Sequence, residues 1–499
     1  MIAKRRIPVS LCMIVRNEEH NLGACLDAVH AMFDEIVIVD TGSQDRTLEI
    51  AARYTSEIYH FAWCDDFSAA RNECLKHCHG EWIFWLDADD RVSPENFGKL
   101  RVLFDSLDDA STAYLMDTVC HGRYACEGER LITHVRLFPR HPELKWRGRV
   151  HEQLRPSPKA LGIEERPCDI QIDHLGYQDG ALRQRKLQRD IRLLRMDYAV
   201  EPDDASTLLH LGLAYAEMHS YTEARKYLQR LLTSEEAGEH MRRVFAALAE
   251  MSLREGKAHD VLAIVKHGLS VFPGDESLLF QQAEALYELD HYNASRQSLE
   301  SIVAGNARHR HHGTPSDIRR KLAPRKLGDV LRMLGAHARA EQVLNQVIQD
   351  FPGDTLSWYT LGNVYLDANR EAALKSVAER LQTCPQGNIF APILLATWHL
   401  RQGNSLEAGP LIEQLIHAAP QMPLPRILRV QWLEQTRAPL AARIQACRDV
   451  LRAQPSNGQA QAALAQLDRV RSQATSQSIS PVGTTVMLGE GLPDFAGAH

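Results

Sequence analysis

The hydrophobic pattern of the first 180 residues alternates between short apolar runs and stretches with helical spacing. Val9–Val15 and Glu35–Asp40 are such runs, and each leads into a polar loop and then into apolar residues at helical spacing. Runs of this length are typical of buried strands, and strands that alternate with helices form βαβ units with a parallel sheet. We therefore predict an α/β domain over residues 1–180, with further strands near 113–119 and 131–138.

The apolar run that begins at Trp82 leads directly into the carboxylates of Asp87, Asp89 and Asp90. In an α/β sheet, a buried strand that ends in acids carries them to the carboxyl edge, where such folds bind ligands. Crowded carboxylates repel one another, and a divalent cation offsets them and can bridge to substrate phosphates. The alternative is an acidic turn before a helix, because Pro94 suits a helix start.

The loops after the first two runs bring further polar residues to the same edge. Asn17 and Glu18 follow the first run, and Asp40 ends the second and opens a loop that contains Gly42 and Asp45. Because parallel strands end at one edge, we expect these side chains to surround a single crevice together with Asp87. The loop after Asp40 lacks both the dinucleotide glycine fingerprint and the Walker lysine, so the sequence supports those two kinds of nucleotide site poorly.

From about residue 182 the pattern becomes helical and repetitive. Pro352, Pro385, Pro420 and Pro455 are separated by 33, 35 and 35 residues, and Phe-Pro-Gly-Asp occurs at both 272–275 and 351–354. This spacing resembles tetratricopeptide (TPR) repeats, which pair two helices in about 34 residues. The fold class we predict is an α/β domain followed by an all-α TPR solenoid.

The helical half is predicted to have three parts: a connecting helix over 181–204, TPR-like repeats over 205–470, and a flexible tail over 471–499. An insertion at 305–316, which includes a His-Arg-His-His run, accounts for an irregular spacing between repeats. Stacked repeats form a concave groove suited to an extended peptide or another protein. The same surface could serve only for association into a homo-oligomer.

Composition narrows the class of protein. The 499 residues carry a formal net charge of -7, which gives no sign of a nucleic-acid surface. No apolar stretch reaches the length of a transmembrane segment, and the N-terminus does not resemble a signal peptide. The 10 cysteines include no Cys-x-x-Cys pair, so we expect reduced thiols and a cytoplasmic protein.

Four motifs occur in an order that resembles family 2 glycosyltransferases with the GT-A fold. They are Ile14-Val15-Arg16-Asn17-Glu18-Glu19, Val39-Asp40-Thr41-Gly42-Ser43 with Asp45 and Thr47, Ala70-Arg71-Asn72, and Leu86-Asp87-Ala88-Asp89-Asp90. The resemblance covers roughly the first 180 residues. It implies that Asp40 binds the uracil of a UDP-sugar and that Asp87 and Asp89 bind the ribose and the metal-diphosphate. Many family members have a second Asp where this chain has Thr41, which removes one nucleotide contact.

Further residues are assigned to the nucleotide-sugar site and to the metal. Asn17 and Glu18 line the same crevice. Arg71 either supports the nucleotide and diphosphate or pairs with an acid of the crevice. His174 lies where relatives supply a late histidine to the metal shell, so Asp87, Asp89 and His174 are the predicted ligands of Mn²⁺ or Mg²⁺.

The acceptor side is predicted from the stretch Arg-Gly-Arg-Val-His-Glu, which ends at Glu152 and resembles a motif of lipopolysaccharide-core and peptide-modifying transferases. An inverting enzyme of this fold needs a carboxylate base for the acceptor proton. Glu152 is the predicted base and His151 the second candidate. A His-Glu pair on a surface strand is the non-catalytic alternative.

The function that we predict is transfer of a sugar from a UDP-sugar to a protein or peptide acceptor presented by the TPR groove. The reaction would be metal-dependent and inverting. One alternative is a transferase that acts on a lipid-linked or lipopolysaccharide-core saccharide. Another is a non-catalytic TPR scaffold with a degenerate transferase domain, against which the complete set of Asp40, Asp87 and Asp89 argues.

Overall fold

The computed structural model describes residues 8–107, 111–121, 129–175, 180–233, 238, 240–305, 318–385, 387–455 and 457–478. Nearly all of the predicted insertion at 305–316 and most of the predicted tail at 471–499 lie outside these residues. The described chain divides into two compact units, one that ends at Val364 and one that begins at Tyr365. The boundaries predicted at 180, 204 and 470 stay predictions.

The first part of the chain is an α/β domain. Its strands are β1 (Val9–Val15), β2 (Glu35–Asp40), β3 (Ile58–His60), β4 (Trp82–Trp85), β5 (Asp90–Arg91), β6 (Thr112–His121), β7 (Glu129–Pro139), β8 (Lys145–Arg147), β9 (Gln153–Arg155) and β10 (Glu164–His174). Within the described residues, eight strands form one sheet in the order β3-β2-β1-β4-β7-β6-β10-β5, and β8 pairs with β9 separately. The pairs of β1 with β2 and β4, and of β2 with β3, are parallel. The sheet is mixed, however, because β7 runs antiparallel to both β4 and β6.

Helices cover both faces of this sheet, which explains why its central strands are apolar throughout. The helices are α1 (Leu22–Val29), α2 (Thr47–Ala51), α3 (Phe67–His77) and α4 (Pro94–Ser106). Alternate residues of β1 enter two different cores: Leu11 and Met13 pack with residues of α1 and α4, and Cys12 packs with Cys74 of α3. A strand buried on both faces has no polar alternation, as the run Val9–Val15 shows.

The rest of the described chain is helical. Its helices are α5 (Gly180–Val200), α6 (Ala205–Glu217), α7 (Tyr221–Leu232), α8 (Met241–Arg254), α9 (Ala258–Val271), α10 (Glu276–Glu288), α11 (Tyr292–Ala304), α12 (Ala323–Met333), α13 (His337–Asp350), α14 (Thr355–Asp367), α15 (Glu371–Leu381), α16 (Gly387–Arg401), α17 (Ser405–Ala418), α18 (Pro423–Gln435), α19 (Leu440–Ala453) and α20 (Gly458–Ser478). This α/β-then-helical order confirms the predicted fold class.

The repeated motif marks where two of the helix pairs begin. Pro273 and Pro352 lie in the links before α10 and α14, and the aspartate two residues after each proline caps the helix that follows. Asp275 accepts the amide N–H of Leu278 at 3.0 Å, and Asp354 accepts that of Ser357 at 3.0 Å. An aspartate at this position satisfies an amide that the helix cannot pair internally.

Small residues allow the two helices of a pair to approach closely. A Cβ atom placed on Gly212 would lie 2.5 Å from Cγ of Leu228, and one on Gly328 would lie 2.5 Å from Cγ of Leu344. Gly212 and Leu228 belong to α6 and α7, and Gly328 and Leu344 belong to α12 and α13. Both glycines are therefore required by packing rather than by backbone conformation.

Two further expectations can be compared with the described residues. The nine cysteines they contain are free thiols, and six of these are buried. No described helix combines the length and the apolar character needed to cross a bilayer. The cytoplasmic location stays a prediction.

Candidate active site

The sheet topology brings three polar loops to one edge. Val15 and Asp40 are paired at the ends of the parallel strands β1 and β2, and β4 lies on the other side of β1. The loops after these three strands therefore meet, as the pattern of strand ends predicts.

Asn17 and Glu18 hold the loop after β2 in place. The amide N–H of Asn17 donates to Oγ of Ser43 at 3.0 Å, and its side-chain oxygen accepts the amide N–H of Gln44 at 2.8 Å. The amide N–H of Glu18 donates to Oγ1 of Thr47 at 2.7 Å. Hydrogen bonds thus join the two loops into one rim. Asn17 helps to hold this rim together, a structural role that the sequence did not predict.

Asp40 is buried at the start of that rim, with 3% of its surface exposed. Its carboxylate accepts the amide N–H groups of Gly42 at 3.0 Å and Ser43 at 3.1 Å. Gly42 has a φ of 102°, in the left-handed region that favours glycine, so the turn depends on both residues. Nδ1 of His60 lies 3.6 Å from Oδ2 of Asp40.

A second cluster forms where β5 meets β10. Each of Asp87, Asp89, Asp90 and His174 offers one ligand atom, and these atoms lie within 4.8 Å of one another. His174 reaches the acids because β10 pairs antiparallel with β5 and places His174 opposite Asp90. The structure therefore brings together all three predicted metal ligands, Asp87, Asp89 and His174.

Asp90 orients the other residues of this cluster through buried hydrogen bonds. It is fully buried, accepts a hydrogen bond of 2.8 Å from Nη1 of Arg136, and lies 3.0 Å from Nδ1 of His174. It also accepts the amide N–H of Asp87 at 2.9 Å. Arg136, which is 1% exposed, was missed by sequence reasoning; the available signal is a cation within the apolar run of β7.

The surroundings shift the pKa values of the clustered acids in opposite directions. Burial opposes ionisation of Asp87, but the nearby cations Arg71, Arg136 and His174 hold its pKa well below the ordinary value. Burial raises the pKa of Asp89, and the negative charges of Asp87 and Asp90 add to this effect. Burial likewise raises the pKa of Glu18, with contributions from Asp89 and Asp87. The neighbouring cations therefore stabilise the charge of Asp87, whereas burial disfavours the charges of Asp89 and Glu18.

This donor set fits a divalent cation. Asp87 and Asp89 supply the hard oxygen ligands that Mg²⁺ and Mn²⁺ prefer, and the imidazole of His174 is compatible with Mn²⁺. Burial lowers the pKa of His174, but its contact with Asp90 and the charges of Asp89 and Asp87 outweigh that effect and raise it. The negative charges of the acids therefore favour the protonated form of His174, and they would favour a bound cation in the same way.

Arg71 connects the cluster to the predicted base. Its Nη2 donates to Oδ1 of Asp87 at 2.9 Å, and its Nε donates to Oε1 of Glu152 at 2.5 Å. The guanidinium is 5% exposed and lies 4.4 Å from the ring centre of Trp85 and 5.3 Å from that of Trp146. Two roles were predicted for Arg71: binding of the nucleotide and diphosphate, or an ion pair with an acid of the crevice. The structure shows ion pairs with two such acids.

Glu152 and His151 point to different surroundings. The Glu152 side chain is 12% exposed and is held by Arg71. The ring of His151 stacks on that of His210 in α6, with centroids 4.3 Å apart. His151 has a φ of 55°, and this left-handed backbone separates the directions of the two side chains. The paired His-Glu alternative is therefore not what the structure shows.

Lys186 is a further residue of the site that sequence reasoning missed. It lies on α5, and its Nζ is 3.9 Å from Oδ2 of Asp89. The basic character of this helix was visible in the sequence, but the fold was needed to place one of its lysines at the acid cluster. A cation here is positioned to attract an anionic ligand to the cluster.

Comparison with known families agrees with this arrangement. Residues 10–154 match the family model described as glycosyl transferase family 2, and residues 206–235 and 326–354 match the tetratricopeptide repeat. The chain thus contains a domain that matches family 2 glycosyltransferases and segments that match TPR repeats, in agreement with the predicted resemblance.

Individual relatives match part of the chain. A TPR repeat-containing protein of Synechococcus elongatus is 34% identical over 44% of this chain and 56% of its own length. The prophage-derived glycosyltransferase SunS of Bacillus subtilis is 29% identical over 46% of this chain and 55% of its own length. The chain therefore spans about half the length of these curated relatives. A solved tetratricopeptide repeat protein of Parabacteroides merdae covers 50% of this chain with 16% identity and a TM-score of 0.40.

Proposed function

We propose that the chain is a divalent-cation-dependent glycosyltransferase that moves a sugar from a UDP-sugar to a protein or peptide acceptor with inversion at the anomeric carbon. The observation that carries this proposal is the convergence of Asp87, Asp89 and His174 at the same sheet edge as the Asp40 loop. Arg71 then joins this edge to Glu152.

The nucleotide half of the donor would bind along the rim formed by the loops after β1 and β2. Asp40 would accept the N3–H of uracil, since an ionised carboxylate acts only as an acceptor. Glu18 would lie between the rim and the acid cluster, because Asp87 and Asp89 both influence it electrostatically. Its backbone forms the rim, and its side chain would border the nucleotide.

The diphosphate would bind at the acid cluster, where Asp87, Asp89 and His174 would hold a Mn²⁺ or Mg²⁺ ion. Such an ion supplies charge neutralisation for the departing diphosphate. Lys186 adds a protein cation at the same place, 3.9 Å from Asp89. Asp90 and Arg136 would keep the ligand side chains in their orientation without touching the substrate.

Transfer would occur between this cluster and Glu152. The acceptor oxygen or sulfur would form a bond to the anomeric carbon as the bond from that carbon to the diphosphate breaks, and UDP would leave. The acceptor proton would pass to Glu152, whose position Arg71 fixes. Positioning matters because a general base must lie within hydrogen-bond reach of the proton it takes.

Release of UDP from UDP-glucose tests the proposal. We expect release in the presence of MnCl₂ and its loss in Asp89→Asn, with Asp105→Asn on the exposed face of α4 as the matched control. Mass spectrometry of the products then separates the acceptors. Sugar on a peptide supports the proposal, whereas sugar found only on a saccharide fraction would favour a lipopolysaccharide-core type of acceptor. No release from any UDP-sugar would favour the scaffold.

A further inference from the structure

A cleft of about 680 Å³ lies between the segment 145–155 and the helices α5 and α6. Both walls belong to the compact unit that ends at Val364. The floor is the ribbon of β8 and β9, in which side chains alternate between the two faces. One face carries Trp146 and Leu154, which are buried in the core. The face toward the cleft carries Lys145, Arg147, Gln153 and Arg155.

The opposite wall is acidic and is joined to the floor by ion pairs. It presents Asp197 of α5 and Asp204, the residue that caps α6. Nε of Arg149 lies 3.3 Å from Oδ1 of Asp197, and Nη1 of Arg155 lies 3.4 Å from Oδ1 of Asp204. These two contacts hold the walls together, so the cleft is a built feature of the fold.

The cleft adjoins the predicted base. Glu152 turns toward Arg71, but its chain neighbours His151 and Gln153 both line the cleft. Asn72, which follows Arg71 along α3, lines it as well. Consecutive Cα atoms are about 3.8 Å apart, so a ligand in the cleft lies within a few ångströms of the Glu152 backbone. Glu152 is in turn joined to Asp87 through a single guanidinium.

The unpaired cations of the cleft lie together on its floor. Asp197 and Asp204 already have arginine partners from the floor. Among the described residues, Lys145 and Arg147 are exposed and have no ion-pair partner, and they lie on the same face of the ribbon. Of the described acids, two that have no ion-pair partner line the cleft away from the ribbon: Glu201, which is exposed, and Asp66, which is half-buried and caps α3. The floor is therefore suited to carboxylates.

The lining favours a peptide over a saccharide. Sugar rings are usually held by the exposed face of an aromatic side chain, and of the rings at this cleft Trp146 and His210 are buried, whereas His151 is exposed with one face against His210. His151 and His210 stack on each other, and Trp146 is 5% exposed beside the Arg71 guanidinium. Charged and amide side chains of the ribbon instead offer the contacts that an extended polar peptide uses.

Resting on the proposed function, we propose that this cleft binds an extended segment of the acceptor polypeptide whose acidic side chains contact Lys145 and Arg147. The segment would run past Gln153 and would bring its acceptor side chain to Glu152. The cleft would thus give the enzyme a preference for acceptor sites flanked by acidic residues.

The test uses fluorescein-labelled decapeptides of alternating Ser and Glu and of alternating Ser and Lys, with the full chain at low ionic strength. Fluorescence anisotropy should show the Ser-Glu peptide bound at least about tenfold more tightly, because like charges across an interface disfavour binding. The double variant Lys145→Glu/Arg147→Glu should reverse this order. Arg101→Glu/Lys159→Glu, which changes the net charge equally at exposed positions outside the cleft, should keep it.

Three results would overturn the proposal: neither peptide binds, the cleft variant keeps the wild-type order, or the control variant reverses it. Displacement of the Ser-Glu peptide by maltohexaose would also overturn it in favour of a saccharide. Calorimetry with UDP and MnCl₂ on the same proteins separates this inference from the proposed function. A wild-type chain that takes up no UDP contradicts the proposed function, whereas the reversal of peptide preference tests the cleft alone.

Discussion

Asp87 and Glu152 are hydrogen-bonded to the same guanidinium, that of Arg71, at 2.9 Å and 2.5 Å. One of these acids belongs to the predicted cation cluster and the other is the predicted base. A single buried arginine therefore joins the cation cluster to the proposed base. We therefore propose that Arg71 positions both acids, while its predicted contact with the nucleotide stays a prediction.

Replacing Arg71 should destabilise the domain. Arg71→Met leaves Asp87 and Glu152 without their shared cation, and breaking a buried ion pair from one side costs about 3–5 kcal/mol. Urea unfolding should show this loss in the free energy of unfolding. The double variant Arg71→Met/Glu152→Gln should recover part of it, because one uncompensated charge is removed. A single variant as stable as the wild type would contradict the proposed bridge.

Glu152→Gln should separate transfer from donor binding. The amide keeps the size of the side chain but cannot take a proton, so transfer should fall by about 10²–10⁴-fold. UDP binding, measured by calorimetry, should stay within about twofold because no contact at the acid cluster is removed. His151→Gln is the comparison, since His151 was the second candidate base. The assignment is wrong if His151→Gln abolishes transfer while Glu152→Gln does not.

The close contact between α6 and α7 gives a stability prediction. In Gly212→Ala the new methyl group would meet Leu228 at 2.5 Å, and overpacking of this kind costs about 1–3 kcal/mol. Gly98→Ala in α4 is a matched control, because nothing lies within 4 Å of its Cβ position. It should stabilise the protein by about 0.5–1 kcal/mol through helix propensity. Thermal unfolding of both variants gives the comparison, and equal shifts would contradict the packing argument.

The histidine stack predicts a dependence of stability on pH. Burial, with the charges of His151 and Arg243 adding, holds the pKa of His210 well below its ordinary value. As the pH falls below about 6.5, the unfolded chain takes up a proton that the folded chain does not, so stability should decrease. The slope approaches about 1.4 kcal/mol per pH unit for this one proton.

His210→Gln should remove that contribution from the slope of unfolding free energy against pH between 6.5 and 5. Above pH 7.5 the variant and the wild type should show parallel pH dependence, because both the folded and the unfolded chain then hold His210 neutral. An unchanged slope below pH 6.5 would show that His210 can be protonated in the folded protein.

The parts of the structure that the sequence predicts are those fixed by short-range patterns. The apolar runs that end in Asp40 and Asp87 predicted the strands β2 and β4. Because parallel strands end at the same edge of a sheet, they also predicted that the two acids lie at one edge. The proline spacing gave the helix pairs, because proline cannot continue a helix and aspartate caps the next one.

Partnerships between distant segments could not be predicted in the same way. Arg136 and Lys186 reach the acid cluster only through the pairing of β7 and the course of α5. Asn17 and Asp45 carry polar side chains that suggested ligand contacts, yet their hydrogen bonds shape the rim itself. The cleft beside Glu152 depends on how α5 and α6 pack against β8 and β9, which no periodicity encodes.

The central claim is that Asp87, Asp89 and His174 form one cation-dependent site for a uridine diphosphate. Calorimetric titration of the full chain with UDP tests it most directly, with MnCl₂ present, with EDTA in its place, and with the Asp89→Asn variant. We predict uptake of one UDP per chain with MnCl₂ and none detectable in the other two cases. Absence of uptake with MnCl₂, or uptake that EDTA and Asp89→Asn leave unchanged, would contradict the account.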